Sequence, residues 1–194
     1  MNKGRLEAFS DGVMAIIITI MVLELKPPQG ATLADLWPLR LVFLSYVLSF
    51  VYVAIYWNNH HHLFQAVKQV NGPILLANTH LLFWLSLLPF VTAWSGENHF
   101  SEIPMAVYGI VLLMSGVAYT FLTALLLKHH GSQSDLARAM GRDFKGKASV
   151  VAYVVAIPLA LWAPLVSFAI YILVAAIWVI PDSRIERVLK SGKN

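Results

Sequence analysis

The sequence predicts an all-α integral membrane protein with six membrane-spanning helices in a single domain, residues 1–194. Three observations carry that reading. Hydrophobic residues make up 58% of the chain and charged residues 12%, against soluble norms of about 45–50% and about 25%. Mean hydropathy is +0.68, so too few charges are present to coat a soluble globule. Long uncharged runs separate the charges that do occur, and the basic residues gather on one side once six spans are drawn. A soluble enzyme, a disordered regulator and a disulfide scaffold are all poor fits. Cys is absent, which removes thiolate catalysis and cysteine-ligated metals.

A spanning helix needs about 20 apolar residues. The first span, 6–25, is the least ordinary. Only Gly12 to Leu23 is uncharged, so the helix must carry Asp11 near one end and Glu24 near the other. Charges at such depths normally face a bundle interior or a water-filled cavity. A signal peptide is the competing reading, since Lys3 and Arg5 precede the apolar run. Asp11 interrupts that run, however, and Leu23-Glu24-Leu25-Lys26-Pro27 is no cleavage site.

Uncharged runs predict spans at 38–58, 73–95 and 103–127. The last run, 148–181, is too long for one span and holds Pro158 and Pro164. It is therefore read as a hairpin of two short helices, 148–162 and 165–181, packed inside a bundle. Between the fourth and fifth spans lies a polar loop, 128–147, with a short helix expected at 135–144. Trp37, Trp57, Trp94 and Trp178 fall near span ends, where amphipathic rings favour the interface.

With six spans, twelve basic residues lie on the side of both termini, and only Lys26 and Arg40 lie opposite. The positive-inside rule then puts both termini in the cytoplasm. These residues are ordinary topology and inner-leaflet charges, so no nucleic acid is expected as a partner. The outer side is mildly acidic, with Glu24, Asp35, Glu97 and Glu102.

Three adjacent histidines, His60-His61-His62, invite a metal reading. Adjacent helical residues fan out by about 100° each, whereas zinc ligands on one helix want i, i+3 or i, i+4 spacing. No HExxH motif accompanies them. Neither a metal nor any other cofactor is expected, and the chain is not read as an enzyme. Phosphate loops and the TVGYG carbonyl filter are absent as well, so any ion selectivity must come from side chains. On the first helix Ile16, Ile20 and Leu23 fall within about 60° of one another, with Thr19 beside them, while Asp11 lies about 140° from Ile16. Such a stripe suits a pore lining, but periodicity alone favours a core or lipid-facing surface, which any apolar helix supplies.

Arg5-Leu-Glu-Ala-Phe9-Ser10-Asp11, running into the Ile/Thr-rich stretch to Met21, resembles the signature of the transmembrane protein 175 family of endosomal and lysosomal potassium channels. Tyr56-Trp57-Asn-Asn-His60-His-His-Leu63-Phe64, Asn78 and Leu87-Leu88-Pro89-Phe90 are similar to further family motifs. The likeness covers about residues 4–92. It implies a homotetramer whose first helices line a central pore. Ile16 would be the constriction, Ile20 and Leu23 further apolar rings, and Thr19 a polar layer. Arg5, Ser10, Asp11, His60 and Asn78 would form a buried network holding the pore helix, and Glu24 an acidic outer mouth. Such a prokaryotic plasma-membrane channel would pass potassium with moderate preference over sodium, its partners being potassium ions, lipid and its own copies. The competing reading is a secondary proton- or cation-coupled transporter that uses Asp11 and His60.

Overall fold

In the computed structural model, residues 3–67, 69–131, 134 and 144–179 are described, and they contain helices and no strand. The helices are α1 (Lys3–Leu23), a 3-10 helix (Leu33–Leu39), α2 (Arg40–Gln65), α3 (Gly72–Ser86), α4 (Leu88–Glu97), α5 (Glu102–His130), α6 (Phe144–Leu159) and α7 (Pro164–Val179). Helices α3 and α4 together make one apolar segment, Gly72–Glu97, so six segments result. The short helix expected at 135–144 falls on residues that, apart from Phe144, lie outside the described ones.

Local chemistry accounts for the main boundaries. The α3–α4 break at Leu87 precedes Pro89, whose missing N–H and bulky ring cannot continue the ladder from Leu85. Asn71 caps α3 by accepting the Ile74 N–H at 3.1 Å, with Pro73 in the first turn. α2 runs seven residues beyond the expected end at 58, through the polar Asn-Asn-His-His-His stretch. That extension is possible because His60, Leu63 and Phe64 are buried and the His60 ring finds a hydrogen-bond partner. Pro164 starts α7, and the turn before it closes through Ala163 N–H to Leu159 O at 2.8 Å. Ser167 then donates to Ala156 O at 2.8 Å, clipping the α6–α7 hairpin together.

α5 packs along α3 and α4 on one flank and α6 and α7 on another, while α2 joins α1, α4 and α7. Close approach needs small residues at two points. A Cβ on Gly96 would sit 2.6 Å from Ser45 Oγ and 2.7 Å from Val42 Cα, so α4 lies almost backbone-to-backbone on α2. Over Gly109 of α5 lies the Tyr171 ring, whose hydroxyl donates to Met105 O at 3.2 Å. Around this centre Tyr52 donates to Tyr171 O at 2.6 Å, and Tyr153 donates to Tyr52 Oη at 3.2 Å. Ser49 joins Thr92 and Tyr108 across three helices.

α1 packs against α2, α3 and α4. It stands at the edge of the bundle, with much of its surface uncovered.

Candidate functional site

Two stripes divide α1. Leu6, Ser10, Met14, Ile17 and Met21 are buried, at the three- and four-residue spacing that keeps side chains on one helix face. On an adjacent side, about 110° round the helix, Phe9 is 60% exposed, Ile16 58%, Ile20 41% and Leu23 79%. Phe9, seven residues before Ile16, falls about 20° from it on the wheel and extends the stripe by two turns. Thr19 lies beside them, exposed, its hydroxyl donating to Ile16 O at 2.8 Å. A hydroxyl is thereby held beside the stripe without costing the helix a backbone bond.

The buried stripe is locked by a directional chain of hydrogen bonds. Ser10 Oγ donates to Leu6 O at 2.8 Å, which leaves its lone pairs for Asn78 Nδ2 at 2.9 Å. Asn78 Oδ1 can only accept, so His60 Nε2, 2.8 Å away, is the protonated ring nitrogen. All three side chains are at most 2% exposed, and the His60 ring packs on Phe64 with centroids 4.5 Å apart. Three helices, α1, α2 and α3, are thus joined through buried side-chain hydrogen bonds.

Asp11 and Arg5 stand outside this chain. Asp11 is exposed and accepts the indole N–H of Trp57 at 3.0 Å. Trp57 in turn stacks on His61 at 5.9 Å, and His61 Nε2 accepts from Gln65 at 2.8 Å. Arg5 is exposed and has no hydrogen bond or ion pair among the described residues. The expectation of one buried network of five therefore needs correction within the subunit. Six helical residues place Arg5 about 120° from Asp11, and Arg5 shares the outward face of Ile16.

Three contacts escaped sequence reasoning. Trp57 looked like a belt residue; its distance of four from His61 was the signal that both rings share a face. Lys3 Nζ reaches Phe64 O at 2.6 Å and lies 3.8 Å from Glu7, tying the start of α1 to the end of α2. At the other end Lys26 pairs with Glu97 at 3.0 Å, so part of the acidic rim is already partnered. Glu97, by hydrogen bond and then by charge, holds the Lys26 ammonium above the ordinary lysine range. Glu24 is exposed at the end of α1. Among the described residues no three His, Asp or Glu side chains converge as metal ligands.

Comparison with known proteins places this arrangement. The model of the family described as endosomal/lysosomal potassium channel TMEM175 matches residues 5–89, the stretch that contains both stripes of α1 and the chain from Ser10 to His60. A potassium channel of Chryseobacterium sp. (strain P1-3) is 56% identical over 192 residues, covering 99% of this chain and 100% of that one. The bovine endosomal/lysosomal proton channel TMEM175 is 30% identical over 162 residues, 74% of this chain but 33% of its own length. The crystal structure of a lysosomal potassium-selective channel TMEM175 homolog from Chamaesiphon minutus superposes with a TM-score of 0.79 at 26% identity, covering 92% of this chain and 96% of that one. A likeness of that extent, spanning all six segments and reaching its full length in a bacterial relative, makes this six-helix membrane protein a member of the endosomal/lysosomal potassium channel TMEM175 family, which are ion channels and not enzymes.

Proposed function

We propose that the chain is one subunit of a potassium-permeable cation channel, a homotetramer in which the outward stripes of four α1 helices enclose the pore. The observation that carries this reading is the division of α1: one face is locked by Ser10, Asn78 and His60, while the other leaves Ile16, Ile20 and Leu23 uncovered at the edge of the bundle. Fourfold closure around those residues buries them against their own copies and leaves Thr19 as a polar layer. Isoleucine offers no oxygen to replace a cation's hydration water, so such a ring passes a hydrated ion or seals by dewetting. Potassium holds its water less tightly than sodium, which gives a moderate preference for potassium. Four copies of Glu24 at the mouth concentrate cations there. The protein sits in a prokaryotic plasma membrane with both termini cytoplasmic, following its basic-residue asymmetry.

A coupled carrier needs His60 or Asp11 free to exchange protons. The His60 ring is spent on Asn78 deep in the subunit, away from the exposed stripe, which favours anchoring over relay. The name of the bovine relative makes proton passage the second ion to measure.

The test is flux into liposomes containing purified protein, under potassium, sodium and proton gradients in turn. Fast, uncoupled potassium flux is expected, and Ile16→Asn should lower the potassium-to-sodium ratio several-fold by wetting the constriction. An unchanged ratio in Ile16→Asn, with flux intact, would remove Ile16 from the filter. Saturating, stoichiometric exchange would replace the channel by a carrier.

A further inference from the structure

On the flank of the subunit away from α1, helices α2, α5, α6 and α7 border a cleft of about 550 Å³ of space outside the atoms, the open solvent at its rim included. Sequence makes this room in the middle of α5. Gly116 stands at the midpoint of that helix, and a Cβ added there would meet only Tyr56 Oη, at 3.7 Å. The walls are aromatic: Tyr56 meets Tyr119 edge-on at 6.1 Å, and Tyr52, Tyr153 and Trp178 complete the lining. None of the lining residues among those described is charged.

Most polar groups here are already engaged. Tyr119 donates to Asn59 O at 3.2 Å, Tyr153 to Tyr52, and Ser149 both donates to Lys145 O and accepts from Trp178. Thr120 donates to Gly116 O. Two lining groups are unspent among the described residues: the Tyr56 hydroxyl and the Asn59 carboxamide. Both residues are half-buried and not sealed in the interior.

We propose that this cleft binds an uncharged amphiphile drawn from the bilayer, with a hydroxyl or carbonyl head and an apolar body. Tyr56 and Asn59, three residues apart on one face of α2, supply a donor and a donor–acceptor for such a head. The tyrosine walls and Ile55 and Val150 accept the body. A charged head is disfavoured because no lining side chain among the described residues would compensate it. Entry is from the acyl region. Thr120 is exposed at the rim, about 15 Å from the end of α5 by helical rise, and its neighbours Val117 and Phe121 are 41% and 52% exposed apolar surface. The site is separate from the outward stripe of α1, so it stands whether or not the pore assignment holds.

Photolabelling of the reconstituted full chain with a diazirine-bearing octanol, followed by peptide mass mapping, tests this. Adducts are expected on the segments carrying Tyr56, Tyr119 and Tyr153, and excess octanol should compete them away. Gly116→Leu should cut them at least fivefold by filling the space. Asn59→Leu should weaken competition by octanol about fivefold, the worth of one hydrogen bond. Should Gly116→Leu fail to assemble, Thr120→Phe, at the exposed rim, serves as the blocking variant. Labelling spread over lipid-facing residues without competition would overturn the proposal, as would undiminished adducts in the assembled blocking variant.

Discussion

The two halves of the subunit hold their helices together by different means. Between α1, α2 and α3 the joints are side chain to side chain: Ser10, Asn78 and His60 each fill a demand that another residue type would leave open. Around α5, α6 and α7 tyrosine and serine hydroxyls mostly reach backbone carbonyls, as in Tyr52 to Tyr171 O, Tyr171 to Met105 O and Ser167 to Ala156 O. A backbone carbonyl exists whatever the residue, so one partner of each such joint is free to vary. The family model stops at residue 89, past Ser10, His60 and Asn78, while the helical architecture continues.

The largest test of this contrast is Asn78→Leu, which leaves the buried Ser10 hydroxyl and His60 ring without each other's bridge. A loss of about 2 kcal/mol is expected, read as a lower Tm of the purified protein, together with weakened flux as α1 loosens. Replacing all three members, by Ser10→Ala, Asn78→Leu and His60→Phe, removes the demand along with the supply. Most of the lost stability should return, whereas flux should not, if the chain serves to position α1. Full recovery of both would show these residues to be interchangeable packing.

Tyr52→Phe probes the other half. It removes a bond to a carbonyl and one accepted from Tyr153, and about 1.2 kcal/mol is expected, at the mean of roughly 0.6 for each hydrogen bond between membrane helices. A cost matching Asn78→Leu would erase the distinction. Smallest is Lys26→Gln, outside both halves, which should leave Tm unchanged near neutral pH because the pair is exposed. The Lys26 pKa is raised on folding, so whatever the pair contributes is present below the ordinary lysine pKa. It fades as pH climbs through the raised value. Plots of Tm against pH should therefore nearly superimpose for wild type and variant, any small excess of the wild type vanishing in strong alkali.

Legibility in the sequence followed the same division. Composition and uncharged runs located six segments because a bilayer's thickness leaves few alternatives, and the stripe of Ile16, Ile20 and Leu23 followed from helical periodicity. Register also separates Arg5 from Asp11, yet a shared motif suggested a shared network; angle outweighs adjacency. α2 outran its expected end because polarity at His60 was read locally, while its partner Asn78 lies eighteen residues on and on another helix. The cleft behind Tyr56 was invisible for the same reason, being a space left by four helices and not a pattern along any one.

Gly109 and Tyr171 bear on how this lineage can change. The Tyr171 ring occupies the room a side chain at 109 would need, and its hydroxyl rests on Met105 O. Neither position can drift alone: a larger residue at 109 requires a smaller one at 171, and a smaller residue at 171 leaves a hole that 109 is free to fill. Among relatives the two sites should substitute as a pair, a correlated signature across 62 positions of sequence that would date the arrangement within the family's history.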